Sequence, residues 1–576
     1  MTFFKNVMLA CGVVADHLNE SPIFLAIQIV RKFPSRLVRP LARLLGSCAP
    51  SSGRTVFLLA SYLSGDTKGL QRRFENAQAR GVRGNKARWA AEVAVAAGQP
   101  DWADVFLAQS KPAKRLPATL ARRQWYAGDM SGAVETLKDQ PRSLAKQRRR
   151  FESELEVFRG WRPVLPPSTP IVSRPLRVLH LLTNSVPHTN SGYARRSHSV
   201  LKAQQKAGWE TLAVTRLGYP VQVGELTARR RDLVDGVQYE RLLPAKMAPY
   251  MDGRLQQQSS ALITIARHFR PSVLHTTTHF VNGIVAREVA EALDIPWVYE
   301  VRGHLADTWA SSRDDLARFS ERYELFQQRE AEIMRSADLV VTLGDAMKRN
   351  IVASGVPESR VLLTPNAVGG SYLDEPLSHS DARRALGLEP NGLYFGTVSS
   401  LVDYEGLDDL ISAFALLAPK LPKLVLVLVG DGVAAPSLRS QVQDLGLSAR
   451  TIIPGRVSPE SARLYHAALD VFVVPRKDLP VTQAVTPLKP IEALASARPV
   501  VASNLAALRE IVLDGVNGRL ARPEDPKALA EVVAELLCDA NLRKQMGNAG
   551  RERVLTTRTW RANAKAYDTA YKSLGA

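Results

Sequence analysis

Residues 475–526 decide the fold class of this chain, and they read PRKDLPVTQAVTPLKPIEALASARPVVASNLAALREIVLDGVNGRLARPEDP. The stretch follows a short apolar strand, Val471–Val474, and predicts a long loop, a helix that opens near Pro490 and a second strand over Pro499–Ser503. Proline suits the first turn of a helix, where its missing N–H costs no hydrogen bond. A strand, loop and helix in this order leave backbone N–H groups free at the start of the helix, which favours phosphate binding.

Two charged residues stand at the predicted start of this helix. Lys489 lies just before Pro490 and can supply a cation to a phosphate. Glu492 lies in the first turn, near the positive end of the helix dipole, and can accept hydrogen bonds from a ribose. The simpler interpretation is an ordinary strand–helix–strand unit with a capping carboxylate.

The string PLKPIEALASARPVVAS (487–503), with Glu510 and the turn DGVNG (514–518) after it, resembles the donor-site signature of the family 4 glycosyltransferases. In that family, the carboxylate at the position of Glu492 holds the ribose of a nucleotide-sugar. The usual signature carries a second glutamate eight residues earlier, where this chain has Ala484 beside Gln483. The resemblance covers about residues 176–574 and implies an α/β protein of GT-B fold, with two Rossmann-like doubly wound domains that face each other across a cleft.

Composition indicates a globular, multidomain protein. Of the 576 residues, 45% are hydrophobic and 23% are charged, which is typical of filled cores. The three cysteines (Cys11, Cys48 and Cys538) form no CxxC pair and favour a reducing compartment. No apolar run reaches the roughly 18 residues that span a bilayer. We therefore expect a cytoplasmic protein without a signal peptide, peripheral at most to the inner face of the plasma membrane.

The positive charge of the chain is concentrated in its N-terminal part. Residues 1–165 hold 27 Lys and Arg against 13 Asp and Glu, a net charge of +14 out of +20. No nucleic-acid motif accompanies these charges, so we expect no nucleic acid as a partner. A soluble positive face remains open, and we favour an anionic membrane surface. Residues 1–63 predict a basic amphipathic helical segment. Within it, PSRLVRPLARLLGS (34–47) is typical of a helix at a bilayer interface and equally of a helix packed on its neighbours.

Residues 64–160 predict a helical repeat. Gly65, Gly98 and Gly128 lie 33 and 30 residues apart, each followed by apolar positions at similar offsets. This spacing is typical of stacked helical hairpins such as tetratricopeptide (TPR-like) arrays, which bind protein partners or act as spacers. Residues 161–175, WRPVLPPSTPIVSRP, then predict a proline-rich linker.

Residues 176–380 predict the first Rossmann-like domain, on the acceptor side. Strands expected at 176–183, 210–216, 272–278, 296–303, 337–344 and 360–368 alternate with helices, which indicates a parallel sheet with ligands beyond the strand carboxyl ends. Gly192 opens the helix after the first strand and lets backbone approach a ligand. In family 4 enzymes this loop lies beside the donor phosphate and the acceptor.

Two residues of this domain are candidate catalytic residues, Arg302 and His279. Related proteins commonly carry a histidine two residues after the position of His275, where this chain has Thr277, so the role is either vacant or taken by His279. Arg302 follows a strand and can face a phosphate or an acidic acceptor. The alternative for Arg302 is a salt bridge with Asp307 or another carboxylate.

Residues 381–556 predict the second Rossmann-like domain, on the donor side. Where many family members hold the donor diphosphate with an arginine and a lysine, this chain has Ser400 and Glu405. Ser400 can still donate a hydrogen bond, and the neutralising charge must then come from other residues. The predicted donor-binding residues are Gly192, Ser400, Gly432, Arg456, Arg476, Thr486, Pro487, Leu488, Lys489 and Glu492, with residues 486–488 against the sugar. Residues 557–576 predict a C-terminal helix that crosses back to the first Rossmann-like domain.

The resemblance implies a hexosyltransferase that moves a sugar from a nucleotide-sugar, with retention, to a glycan, lipid-linked or small-molecule acceptor in polysaccharide or glycoconjugate biosynthesis. No cofactor and no metal are expected, because the nucleotide-sugar is a co-substrate and such an arrangement requires no Asp-x-Asp metal motif. Two alternatives stay open at this point. One is a nucleotide-sugar epimerase, which shares the fold, and the other is an inactive GT-B scaffold of a polysaccharide assembly machine.

Overall fold

The computed structural model describes residues 2–20, 23, 40, 42, 44, 55–64, 66–166 and 170–576. Apart from positions 40, 42 and 44, the predicted amphipathic segment 34–47 lies outside the described residues, as does Gly65.

The N-terminal region is helical, as predicted. Two of the glycines that mark the repeat lie between helices in the left-handed conformation, Gly98 at φ 70° and Gly128 at φ 91°. Both turns join antiparallel neighbours whose small and aromatic side chains fill the space between them. The kinship of these hairpins to tetratricopeptide repeats stays a prediction. The helices are α1 (Thr2–Glu20), α2 (Thr55–Ser64), α3 (Thr67–Ala79), α4 (Asn85–Ala96), α5 (Pro100–Ala108), α6 (Leu116–Ala127), α7 (Met130–Thr136) and α8 (Ala145–Phe158).

The first sheet has the strand order β3-β4-β2-β1-β5-β6-β7-β8, and its strands are parallel except for the β3–β4 hairpin. Near-continuous apolar strands are buried from both faces by the flanking helices, which is the pattern of a parallel sheet. Its elements are β1 (Arg177–Leu182), α9 (Gly192–Lys206), β2 (Glu210–Thr215), β3 (Arg231–Val234), β4 (Val237–Arg241), α10 (Met251–Phe269), β5 (Val273–Thr277), α11 (Phe280–Leu293), β6 (Trp297–Val301), α12 (Leu305–Ala310), α13 (Glu321–Ser336), β7 (Leu339–Thr342), α14 (Asp345–Ala353) and β8 (Val361–Leu363).

The second sheet is parallel throughout, with the order β11-β10-β9-β12-β13-β14. The predicted α/β class with two doubly wound sheets is therefore confirmed. Its elements are α15 (His379–Ala385), β9 (Leu393–Val398), α16 (Leu407–Leu417), β10 (Leu424–Val429), α17 (Ala435–Asp444), β11 (Thr451–Gly455), α18 (Pro459–Ala468), β12 (Val471–Val474), α19 (Pro480–Ala484), α20 (Lys489–Ala495), β13 (Val500–Ser503), α21 (Ala506–Arg509), β14 (Gly518–Ala521), α22 (Pro526–Cys538) and α23 (Ala540–Thr557).

The last helix, α24 (Trp560–Ser573), packs against the first sheet. The buried Tyr567 and Tyr571 lie among strand residues of that sheet. The Tyr571 hydroxyl is 2.5 Å from His275 Nδ1, and the Tyr567 hydroxyl is 2.9 Å from Thr364 Oγ1. The chain therefore returns to the first domain after completing the second.

The helical region also packs on the first domain. Asp252, in the first turn of α10, accepts hydrogen bonds from Arg149 at 2.5 Å and from Ser153 at 2.6 Å, both on α8. Phe158, at the end of α8, packs on Phe280 and Phe326 with ring centroids 5.2 and 5.4 Å apart. A mixed polar and aromatic interface thus joins the two regions beside the proline-rich linker.

Candidate functional site

The candidate site lies where the strand order of each sheet reverses. In the first sheet β1 lies between β2 and β5, and in the second sheet β9 lies between β10 and β12. Open parallel sheets bind ligands outside the carboxyl ends of their strands at such reversals. The segments that leave β9 and β12 are residues 399–406 and 475–488, and they contain five of the ten predicted donor-binding residues.

The best-formed part of the site is a lysine–glutamate pair. Lys489 Nζ donates a hydrogen bond of 2.8 Å to Glu492 Oε2, and the two side chains are 36% and 14% exposed. Burial raises the pKa of Glu492, but the charge of Lys489, together with its hydrogen bond and the more distant charge of Arg195, outweighs this effect and holds the pKa below the ordinary value. The carboxylate is therefore ionised at neutral pH. Helix α20 begins at Lys489 and has only seven residues. Binding of a ligand here is therefore attributed to the two side chains and not to a helix dipole.

Sequence reasoning missed the residues that surround this pair. His466 is buried, and its Nε2 lies 3.9 Å from Glu492 Oε2. Its Nδ1 is 3.0 Å from the hydroxyl of Tyr372, and burial lowers the pKa of His466 to about 4. Arg195, at the start of α9 in the first domain, contributes positive potential at Glu492. The only sequence signal was a histidine on an otherwise apolar helix face, which is normally a packing residue.

Arg476 is held by another residue of the predicted site. It donates to both carboxylate oxygens of Glu405, at 2.7 and 3.2 Å, and to the backbone carbonyl of Val485 at 2.9 Å. The Arg476 and Glu405 side chains are both almost fully buried. The charge of Arg476, a predicted source of compensation for the diphosphate, is therefore already balanced inside the protein.

Ser400 and Gly432 lie on adjacent loops. Ser400 is exposed, and the loop that carries it hydrogen bonds to the turn after β10 through Leu401 N–H and Asp431 C=O at 3.2 Å. A Cβ at Gly432 would lie 2.1 Å from the Leu401 carbonyl oxygen, so only glycine permits this close approach. Gly432 thus fixes the shape of the loop on which Ser400 is presented.

Residues 486–488 join the two domains. The Thr486 carbonyl accepts a hydrogen bond of 2.9 Å from Asn366 Nδ2, which follows β8. The Thr486 Oγ1 atom is buried and has no hydrogen-bond partner among the described residues. Pro487 and Leu488 are half-buried beside it. A second interdomain contact lies nearby, where Glu510 accepts hydrogen bonds from the backbone N–H groups of Asp345 and Ala346 at 2.9 and 2.7 Å.

Two arginines of the second domain, Arg456 and Arg463, have no charged partner among the described residues. Arg456, just past β11, is exposed, and Arg463 on α18 is half-buried. Neither makes an ion pair or a side-chain hydrogen bond with any residue that the structure describes. Burial raises the pKa of Tyr372, and the positive charge of Arg463 partly opposes this rise. Arg463 therefore acts electrostatically on the tyrosine beside His466.

Gly192 faces open space on the opposite side of the cleft. A Cβ added there would meet no atom within 4 Å. The next residue, Tyr193, is half exposed, and its hydroxyl lies close to Gly303 after β6. The first domain thus leaves room for a ligand at the start of α9.

Arg302 is buried in an ion cluster of the first domain. It donates to Glu300 Oε2 at 2.7 Å, to Ser197 Oγ at 2.8 Å and to the Tyr193 carbonyl at 3.1 Å. Glu300 is fully buried and also accepts from Arg196 at 2.8 Å. Burial raises the pKa of Glu300, yet the two arginines hold it well below its ordinary value. The carboxylate that pairs with Arg302 is therefore Glu300, whereas Asp307 pairs with His304.

His279 caps a helix and packs against aromatic rings. Its Nδ1 accepts a hydrogen bond of 3.3 Å from Val281 N–H at the start of α11. Its ring lies 4.4 Å from that of Phe280 and 5.3 Å from that of Phe326, centroid to centroid. Burial lowers the pKa of His279 to about 4, so the imidazole is neutral. No contact within the described chain connects His279 with Lys489 or Glu492.

Among the described residues, no group of three His, Cys, Asp or Glu side chains gathers in a way that would hold a metal ion. No helix in the same ranges is both long enough and apolar enough to cross a membrane.

Two protein-family models match this chain. The model described as a glycosyl transferase 4-like domain matches residues 191–367, and the model described as glycosyl transferases group 1 matches residues 379–553. Together they span more than half of the sequence; the first extends from the start of α9 past β8, and the second includes β9 to β14.

Curated relatives point the same way. A GDP-mannose-dependent alpha-(1-6)-phosphatidylinositol monomannoside mannosyltransferase of Mycolicibacterium smegmatis is 30% identical over 226 residues, which are 38% of this chain and 59% of that protein. The chain thus spans well under two thirds of that relative's length. A D-inositol 3-phosphate glycosyltransferase of Corynebacterium urealyticum is 27% identical over 395 residues, 64% of this chain and 87% of that protein.

Solved structures share the fold. A sucrose-phosphate synthase from Thermosynechococcus elongatus superposes with a TM-score of 0.58 at 22% identity, covering 69% of this chain and 99% of that one. Anabaena HepE in complex with UDP superposes with a TM-score of 0.55 at 17% identity, covering 69% of this chain and all of that one (100%). At these identities the likeness concerns the arrangement of the two domains.

Proposed function

The chain belongs to the family 4 glycosyltransferases of GT-B fold, and from this premise we propose that it transfers a sugar from a nucleotide-sugar donor with retention of configuration. The acceptor is proposed to be a glycan, a lipid-linked molecule or a small molecule of polysaccharide or glycoconjugate biosynthesis. A lipid-linked acceptor is supported by the similarity to a phosphatidylinositol monomannoside mannosyltransferase. We propose that the reaction takes place in the cytoplasm without a metal ion.

The observation that carries this proposal is the ionised Glu492 beside Lys489 at the edge of the second sheet. A partly exposed carboxylate accepts both hydroxyl hydrogens of a ribose, and the adjacent ammonium is within reach of a phosphate. The pair lies beyond β12, at the strand-order reversal where doubly wound sheets bind nucleotides.

Nearby residues supply the remaining requirements of a nucleotide-sugar site. The unpartnered buried hydroxyl of Thr486 is free to hydrogen bond to the sugar, because buried polar groups normally have a partner. The leaving group is a nucleoside diphosphate, so the transition state needs positive charge at the phosphates. With Arg476 neutralised by Glu405, we assign that charge to Lys489, Arg456 and Arg463, assisted by Ser400.

The two domains contact each other through Thr486 and Glu510, beside the proposed sugar site. Closure of two domains over a site excludes water, which otherwise competes with the acceptor for the activated sugar. On the acceptor side, Gly192 leaves space beside α9. Arg302 and His279 stay candidate catalytic residues, but their internal hydrogen bonds favour a role in shaping that side of the cleft.

A thermal-shift experiment tests the donor site. A ligand that binds only the folded state raises the melting temperature, by the equivalent of about 2.7 kcal/mol when its concentration is a hundredfold above Kd. We expect a shift with nucleoside diphosphates of one base and with their sugars. Glu492→Gln and Lys489→Ala should each reduce it strongly.

The matched controls are Glu531→Gln and Lys527→Ala, which change exposed side chains on α22 and should leave the shift unchanged. A wild-type protein whose melting temperature responds to no nucleoside diphosphate or nucleotide-sugar would contradict the proposal. A shift that survives Glu492→Gln would move the ribose contact to another residue.

One observation favours a second candidate, an inactive scaffold with the same fold. The loop after β9 offers Ser400 and a glutamate already paired with Arg476, and α19 ends at Ala484 where the signature has its second glutamate. A scaffold would act through protein partners of the helical region. It would show no release of nucleoside diphosphate with any acceptor, and its complexes would survive Lys489→Ala.

We propose that the N-terminal region binds partners other than the substrates. Its net charge of +14 over residues 1–165 favours an anionic membrane surface, and its helical hairpins suit a protein partner. Failure of the protein to bind anionic vesicles at low ionic strength would contradict the membrane contact.

A further inference from the structure

Helix α1 is fixed to the first domain along one side. Asn6 Nδ2 donates to the backbone carbonyls of Leu226 and Ala228, both at 2.9 Å. Leu9 is buried within the main core of the first domain. These two residues orient the helix, because three residues of separation place them on the same face.

The opposite side of α1 is apolar and exposed. Phe4 is 70% exposed and Met8 is 57% exposed, and Cys11 is exposed as well. The spacing of four and three residues places these side chains on one stripe of the helix. Phe3, on the flank, is also exposed. A cluster of exposed apolar side chains on one helix stripe is the kind of patch that marks a site of interaction.

A cationic cavity lies beside α1 and includes Lys5, the residue after Phe4. Its volume is about 610 Å³, and it lies between α1 and the loops that precede β3 and follow β4. Lys5, Arg229 and Arg230 line it, and no acidic residue is among the described residues that do so. All three cations are exposed, and none pairs with a carboxylate in the part of the chain that the structure describes. The cavity is thus suited to a phosphate group.

We infer that α1 and this cavity form a docking site for an anionic phospholipid bilayer, in which Phe4 and Met8 enter the interface and Lys5, Arg229 and Arg230 bind lipid phosphates. Interfacial helices combine an apolar stripe with adjacent cations in this way. An anionic bilayer presents phosphates and acyl chains side by side, which matches the three unpaired cations and the apolar stripe of the same region. The inference rests on the proposed membrane contact of the N-terminal region and is independent of sugar transfer.

The geometry also sets the orientation of the molecule. Because Asn6 and Leu9 fix α1 to the first domain, a bilayer on the opposite face would lie against the acceptor-side domain and not against the donor-side domain. A lipid-linked acceptor would then reach the cleft from the membrane, while the nucleotide-sugar arrives from the aqueous side.

Vesicle flotation of the full chain tests the inference, with vesicles of phosphatidylcholine alone or mixed in equal parts with phosphatidylglycerol. Each basic residue near an anionic surface contributes about a fivefold factor in partitioning. We expect Arg229→Glu with Arg230→Glu to weaken binding to the anionic vesicles by about 30-fold or more. Phe4→Asp with Met8→Asp should abolish binding to both kinds of vesicle.

Two controls match these variants. Arg561→Glu with Lys565→Glu reverses two exposed cations on α24, and Leu233→Asp places a charge at an exposed apolar position of β3. Both should float like the wild type. A thermal shift with nucleoside diphosphate shows for every variant that the donor site is intact, so a loss of folding is distinguished from a loss of docking.

Three results would overturn the inference. Wild-type protein that stays unbound to anionic vesicles would remove the membrane contact altogether. Equal flotation of the wild type and both test variants would place the contact elsewhere on the chain. A melting temperature raised by inorganic phosphate in the wild type but not in Arg229→Glu with Arg230→Glu, without vesicle binding, would make the cavity a site for a soluble anion.

Discussion

The carboxyl edges of the two sheets carry comparable charged pairs in opposite surroundings. At the first sheet, Glu300 is fully buried between Arg196 and Arg302 and has no access to solvent. At the second sheet, Glu492 has one close cation, Lys489, and both side chains reach the cleft. A charged residue after a strand therefore predicts an ion pair at the edge of the sheet. Whether that pair can also bind a ligand depends on how many partners it already has inside the protein.

The largest expected effect is on the buried cluster. Arg302→Ala leaves part of the Glu300 charge uncompensated in the interior, and breaking a buried pair costs about 3–5 kcal/mol. We expect this loss in the free energy of unfolding, measured by chemical denaturation followed through tryptophan fluorescence. The matched control is Arg456→Ala, which removes an exposed arginine just past β11 and should change stability by less than about 0.5 kcal/mol.

A further measurement separates structure from catalysis at Arg302. If Arg302→Ala folds with near wild-type stability but releases no nucleoside diphosphate, Arg302 contacts substrate and the contrast between the two edges fails. If both stability and activity fall, Arg302→Lys distinguishes the roles, since a lysine restores the charge but not the three separate hydrogen bonds.

An intermediate effect is expected from Glu330, a second buried acid of the first domain. Burial raises the pKa of Glu330 to about 7, against the attraction of His304 and hydrogen bonds from the N–H groups of Leu305 and Ala306. Between its unfolded pKa of 4.5 and about 7, the folded protein keeps a proton that the unfolded chain has lost. The contribution of Glu330 to stability is thus complete below pH 4.5 and is lost as the pH rises through 7.

The size of this effect is up to about 3 kcal/mol, from 1.36 kcal/mol per pKa unit. We expect Glu330→Gln to remove that part of the pH dependence, which denaturation midpoints at about pH 5 and about pH 8 would show. An identical pH dependence in wild type and variant would mean that Glu330 is ionised in the folded protein, and the two edges would then differ less than the structure indicates.

The smallest effect on stability is expected at the second sheet. Lys489→Ala removes a partly exposed pair within one helix turn, which is worth less than about 1 kcal/mol. The same change should strongly reduce the stabilisation by nucleoside diphosphate, which a melting curve with and without ligand measures. A loss of several kcal/mol without ligand would mean that the pair is structural, as at the first sheet.

Much of the fold was predictable because it depends on local pattern. The apolar runs that became β1, β2, β5, β12 and β13 lie within one residue of their predicted limits. The β3–β4 hairpin and β14 were missed, since both are short and carry charged residues that interrupt the alternation. Such strands are stabilised by pairing with a neighbour, which a single sequence does not show.

The candidate site was predictable only in part, for the same reason. Lys489 and Glu492 lie three residues apart on one helix, so their contact follows from helical spacing. Arg476 and Glu405 are 71 residues apart, and Arg195 and His466 reach Glu492 from two different domains. Contacts between residues so distant in sequence depend on which loops lie side by side where the strand order of the sheet reverses.

The sequence by itself determined the class of fold, the order of its domains and the family, because these follow from strand-and-helix alternation and from one contiguous signature. Only the tertiary structure decided which charges remain available. The free energy of a buried charge depends on every partner within a few ångströms, and for Arg302 and Arg476 those partners come from neighbouring strands and loops, while Lys489 and Arg456 keep contact with solvent.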